Sequence, residues 1–154
     1  MTQRLNAFAV APKAFEPLVA LGPLVEASSL EHALIELVKI RASQINGCAN
    51  CLHMHTADTL KAGERVERIV LLDAWRESAM YSPRERAALA WTEALTHIAQ
   101  AHPSDADYEA VAAAFSDEEI VYLTVLITAI NSWNRIAVGF GVHHPNDARL
   151  KAAA

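Results

Sequence analysis

Apolar residues along this chain recur at three- and four-residue intervals and nowhere sustain the alternation of a β-strand, which is the pattern of amphipathic helices. Alanine, leucine and glutamate dominate these stretches, and proline and glycine fall between helix-length pieces. The expectation is an all-α bundle of about six to eight helices in a single domain. Residues 1–14 read as an N-terminal arm, largely extended, residues 15–142 as the helical domain and residues 143–154 as a C-terminal tail, with the chain loose from Gly139 onward.

Phe15, Leu18, Val19 and Leu21 suggest a short first helix that Gly22-Pro23 interrupts. Leu30, Leu34, Leu37, Val38, Arg41 and Ile45 mark a second over residues 30–45, which Asn46-Gly47 stops. A third begins near Cys48 and runs to about Lys61, with Gly63 as its stop signal. A fourth runs from Glu64 to about Trp75 and packs Val66, Ile69, Val70 and Leu72. Ser82-Pro83-Arg84-Glu85 is a start signal, with Ser82 as N-cap, Pro83 at the first helical position and Glu85 closing a capping box. That helix carries Leu89, Trp91, Leu95 and Ile98 and stops before Pro103. Ser104 or Asp105 caps the next piece, with Tyr108, Val111 and Phe115 facing inward, and Ser116 to Glu119 repeats the capping box to open a last long helix to about Val138. Residues 120–130 are apolar nearly all round, which puts this helix at the centre of the domain or partly at an oligomer interface.

Composition narrows the function classes. The 154 residues are 53% hydrophobic and 20% charged, a globular balance, and the formal charge of -5 offers no basic stripe to a nucleic acid or an anionic membrane. Pro12, Lys13, Glu16 and Pro17 break up any apolar core of a secretory signal, and the longest apolar run, around Ile120 to Ile130, falls short of the roughly 20 residues that cross a bilayer. A cytoplasmic location is expected, where a vicinal cysteine pair points to catalysis or metal binding rather than to a structural staple.

Candidate chemistry gathers between Glu36 and His55, in ELVKIRASQINGCANCLHMH, which holds both cysteines of the chain. Cys48 and Cys51, three residues apart, share a helix face, and His55 lies one turn beyond Cys51 on that face. An imidazole beside a thiol, or a helix N-terminus beneath it, raises the thiolate fraction of a group whose ordinary pKa is about 8.5. The two effects divide the pair: the helix dipole favours Cys48 as the more acidic thiol, and the neighbouring base favours Cys51. Three other readings stay open on the residues alone. Cys48, Cys51, His55 and either His53 or Glu36 could hold a metal, although His53 lies about 200° around the helix from Cys51; both cysteines could be small buried hydrophobes; and Glu36 could be solvated. His32, His97 and His102 read as surface or helix-end residues, and Trp75, Trp91 and Trp133 as core or interface anchors.

The run Glu36, Arg41, Ser43, Asn46, Cys48, Cys51, His55, spaced as ExxxxRxSxxNxCxxCxxxH, resembles the core motif of the alkylhydroperoxidase AhpD-like proteins within the carboxymuconolactone decarboxylase superfamily. INSWNR at 130–135 resembles a later helix of one branch of the same family. The resemblance implies an all-helical fold assembled as a homo-oligomer, a trimer or hexamer, and a peroxidase acting on a hydroperoxide without a bound cofactor or metal. It further implies Cys51 as the peroxidatic thiol, Cys48 as the resolving one, His55 and Glu36 as a proton relay, and an outside dithiol, lipoyl-bearing or thioredoxin-like, as reductant. Asn50 stands where some AhpD proteins carry a further histidine, which removes one route for the proton. The lactone-decarboxylating branch lacks the cysteine pair, so the CANC sequence weighs against decarboxylation. A metal-binding or redox-sensing protein without turnover, and a non-redox lactone decarboxylase, are the alternatives.

Overall fold

The computed structural model describes residues 4–144, and among these the chain forms eight α-helices and no strand. They are α1 (Ala7–Val10), α2 (Glu16–Glu26), α3 (His32–Ile45), α4 (Ala49–Lys61), α5 (Val66–Val70), α6 (Pro83–Thr96), α7 (Asp105–Ala112) and α8 (Asp117–Phe140), with 3-10 turns at Pro12–Ala14 and Leu71–Ala74.

The all-α expectation holds, and the helix at its centre is α3. One side of α3 sends Leu34, Ile35 and Val38 into a core shared with Val25 of α2, Trp91 of α6, Val111 of α7 and Leu123 and Ile127 of α8. Its other side sends Leu37 and Ile40 into a second core with Ile69, Leu72, Trp75 and Leu89. Each such side chain, fully buried, contributes about 1.5–3 kcal/mol of transfer free energy. A third, smaller cluster joins Cys48 and Cys51 to Ala137 of α8 and Val142.

Helix starts follow their caps. Ser82, Ser104 and Ser116 each accept a hydrogen bond from the backbone N–H three residues on, and Glu85, Asp107 and Glu119 return the bond to the cap N–H at 2.8, 2.8 and 2.9 Å. Helix α8 is one wall of the bundle rather than its axis, burying Ile120, Leu123, Leu126 and Ile127 while Val121 faces out. By length and composition this 24-residue helix is apolar enough to cross a membrane, more than the run counted along the sequence suggested, yet half of that stretch is buried against the rest of the chain.

Four elements depart from the sequence pattern. Gly22-Pro23 does not break the first long helix: Pro23 lies inside α2, because Gly22 has no Cβ to clash with the proline ring and the last turn is held by buried Val25. The N-terminal segment is not extended. Asn6 caps α1 through a bond from the Ala9 N–H at 3.2 Å, and Arg4 ties the segment to the end of α8 through Gly139 O at 2.7 Å and Phe140 O at 2.9 Å. The predicted helix from Glu64 to Trp75 splits into α5 and a 3-10 turn, since its buried residues Ile69, Leu72 and Trp75 repeat every three positions, the 3-10 period. Finally, Gly139 and Phe140 belong to α8, which ends at left-handed Gly141, and Val142 packs on the cysteine cluster. The expected tail beyond residue 144 lies outside the described residues.

Candidate active site at the start of α4

The turn between α3 and α4 fixes the cysteines. Gly47 takes φ +63°, a left-handed conformation that an L side chain resists, and the chain closes α3 with Gly47 N–H donating to Gln44 O at 3.1 Å and Cys48 N–H to Ser43 O at 3.0 Å. Cys48 is therefore both the residue that finishes α3 and the N-cap of α4, where its sulfur accepts from the Cys51 N–H at 3.3 Å. The sulfurs of Cys48 and Cys51 are joined as a disulfide across Cα atoms 5.4 Å apart.

Three asparagine side chains and one serine pin this turn to α8. Asn46 donates to Asn131 Oδ1 at 3.0 Å and to Asn134 Oδ1 at 2.9 Å, and Asn134 donates to Ser43 Oγ at 3.0 Å. Asn134 is fully buried, and Ser43 completes the chain by donating to Lys39 O at 2.7 Å. Ser43, Asn46 and the asparagines of INSWNR are thus structural partners rather than reactive groups. Arg41 is turned away from the sulfurs and binds Glu93 at 2.8 Å, Gln44 at 3.0 Å and Asp73.

Below the disulfide, α4 presents His55 and then Thr59 to α3. The His55 Nδ1–H donates to Glu36 Oε2 at 3.0 Å, and Thr59 Oγ1 donates to the same oxygen at 3.5 Å. The other carboxylate oxygen, Oε1, accepts from Lys39 Nζ at 2.8 Å, and the same ammonium reaches Glu26 of α2 at 3.1 Å. Glu36 is only 4% exposed, so the solvated reading fails: its stripe on α3 includes Ile40 and Ser43, both fully buried. Burial alone would push its carboxyl up, but the hydrogen bonds from His55 and Lys39 and the Lys39 charge outweigh it and hold the carboxyl at about 2. Burial likewise works against the Lys39 ammonium, and the bonds and charges of Glu36 and Glu26 reverse it, so that Lys39 stays protonated above its ordinary range. With Nδ1 donating to a carboxylate, Nε2 is the ring nitrogen left to accept a proton.

A cavity of about 340 Å³ opens onto Cys51 and His55. Its walls are apolar, from Phe8, Val25, Met54, Leu126, Trp133 and Ile136 among others, with Glu26, Lys39 and Asn50 as polar points. Cys48 does not line it and lies behind Cys51, fully buried. Phe8 and Trp133 stack at 6.1 Å, with Phe15 at 4.5 Å from Phe8, so the N-terminal segment forms part of the cavity wall. The four-ligand metal set is not assembled. The sulfurs are bonded to each other, and the His53 ring stacks on His144 at 3.6 Å. Among the described residues the carboxylate and imidazole atoms of Glu26, His32 and Glu36 do come within 4.8 Å of one another, and Lys39 supplies the positive charge between the two glutamates.

Sequence reading singled out Glu36, Cys48, Cys51 and His55, and the structure brings these four side by side. It passed over Lys39 and Thr59, which spacing could have flagged: Lys39 follows Glu36 by three residues and Thr59 follows His55 by four. It also passed over Phe8, whose approach to the cavity depends on a contact between the two ends of the chain that no local pattern announces.

Residues 12–94 match the carboxymuconolactone decarboxylase family. The uncharacterized protein YdfG of Bacillus subtilis (strain 168) is 40% identical over 141 residues, covering 92% of this chain and 96% of YdfG. A protein of unknown function from Agrobacterium tumefaciens, provisionally described as the antioxidant defence protein AhpD, has a crystal structure that superposes with a TM-score of 0.90 at 48% identity, over 94% of this chain and 99% of that one. The alkylhydroperoxidase AhpD core of an uncharacterized peroxidase-related protein from Ralstonia eutropha JMP134 shares the fold, with a TM-score of 0.78 at 20% identity over 92% of this chain and 75% of that one. With the motif, the bundle and these relatives in agreement, the chain belongs to the carboxymuconolactone decarboxylase family, among its AhpD-like members.

Proposed function

We propose that this protein is a thiol-dependent hydroperoxide reductase whose peroxidatic thiol is Cys51 and whose resolving thiol is Cys48. The observation that carries the reading is the division of the pair: the apolar cavity reaches Cys51 and His55, while Cys48 is sealed behind its partner within bonding distance. In the reduced protein, His55 Nε2 accepts the Cys51 proton, and the imidazolium that forms is stabilised by the Glu36 carboxylate on Nδ1. The thiolate attacks the outer oxygen of a hydroperoxide, the O–O bond breaks, and His55 returns the proton to the departing alkoxide, leaving an alcohol and a Cys51 sulfenic acid. Cys48 then attacks the Cys51 sulfur, expels water and forms the disulfide present in this structure.

Two electrons from an outside dithiol, of the lipoyl or thioredoxin-like kind, restore the pair by exchange. That requirement suits a reducing cytoplasm. A homo-oligomer, trimer or hexamer, is part of the same reading, and exposed Val19, Leu24 and Val121 are apolar surface that association would cover. Single variants test the proposal through turnover of an organic hydroperoxide with a small dithiol. Cys51→Ser should abolish it, and Cys48→Ser, mixed with hydroperoxide in the absence of the dithiol, should consume one equivalent per chain and then stop. Unchanged turnover in both would overturn the assignment.

A further inference from the structure

The Lys39 ammonium takes no step in the chemistry above, yet it is held between Glu36 at 2.8 Å and Glu26 at 3.1 Å and lines the same cavity as Cys51 and His55. We propose that Lys39 is a positioning residue for the thiol chemistry: it holds Glu36 Oε1 so that Oε2 stays on His55 Nδ1, and its charge competes with an imidazolium at His55 for the one carboxylate. The inference rests on the peroxidase reading for its purpose but not for its test.

The physical case is one of shared charge. A buried carboxylate that served His55 alone would hold an imidazolium tightly, because burial favours the neutral sum of the two. An imidazole already carrying a proton cannot take one from Cys51. Lys39 supplies a competing positive charge to the same carboxylate and weakens the pair's hold on its proton. Glu26 modulates this from α2, where its partly exposed carboxylate draws part of the Lys39 charge away from Glu36. The titratable and charged groups around the pair are Glu26 from α2, His32 and Lys39 from α3, and Cys51 from α4, and α8 contributes only apolar walls to the cavity. Both glutamates stabilise the one ammonium, and Glu26 competes with Glu36 for its charge.

The test titrates the disulfide form, in which no thiol competes, by following the His55 ring protons by NMR. In Lys39→Met the pair should take up its proton about one pH unit higher than in the wild type, a tenfold change in proton affinity. Lys39→Arg should restore the wild-type curve. Glu26→Gln, a change at a partly exposed residue, should shift it the other way and keeps the test decisive if Lys39→Met does not fold. The acidic limb of the hydroperoxide rate should move with the NMR curve in each variant. Superimposable NMR titrations in Lys39→Met and Glu26→Gln, or shifts of the same sign in both, overturn the role of Lys39. Shifted titrations with no hydroperoxide turnover in any form would leave that role standing and overturn the peroxidase reading instead.

Discussion

Glu36 shows how much one buried side chain can organise. Its two oxygens join α3 to α4 through His55 and, through Lys39, to α2. Its carboxyl sits at about 2 when folded against an ordinary 4.5. A group depressed on folding contributes stability that is complete above the unfolded value and is lost as pH falls through the folded one. Here that contribution, about 3 kcal/mol, should drain away as the pH drops from about 5 to 2. Urea unfolding of the disulfide form across that range should show a steeper loss in the wild type than in Glu36→Gln, which keeps the depressed carboxyls of Glu85, Glu93 and Glu119, and parallel curves would contradict it. The importance of Glu36 was only half legible in the sequence. The motif pointed at it, but helical periodicity placed it on a stripe that is exposed on most helices. What periodicity could not convey is that α3 is buried on both sides.

At the scale of elements, the helices were written by their caps. Ser82, Ser104 and Ser116 with their acidic partners gave α6, α7 and α8 their starting residues, and Gly47 and Gly63, at φ +63° and +96°, follow the ends of α3 and α4. Elements set by tertiary contacts were not legible: α1 depends on Arg4 reaching the end of α8, and α2 continues through Pro23. The α3–α4 turn carries the cysteine pair, and α8 holds it by way of Asn134. In Asn134→Ala, Asn46 and Ser43 each lose a buried partner, so the variant should unfold about 2 kcal/mol more easily in urea. Disulfide closure should slow in step, because a loosened turn no longer holds Cys48 against Cys51. A variant as stable as the wild type would show that the asparagine network does not secure the turn.

Across the whole molecule, three helices meet around the cysteine pair: α3 brings the carboxylate and its ammonium, α4 brings sulfur and imidazole, and α8 brings the wall and the anchoring asparagines. The N-terminal segment closes the other side with Phe8. This convergence is what turns an ordinary CxxC into a pair whose members differ in access, one facing an apolar cavity and the other sealed. The most direct measurement is a free-thiol count on the fully reduced protein before and after one equivalent of an organic hydroperoxide, with the alcohol product quantified alongside. Both thiols should disappear and one alcohol should form per chain, and a small dithiol should bring both thiols back. Thiols that persist while the hydroperoxide remains intact would contradict the account.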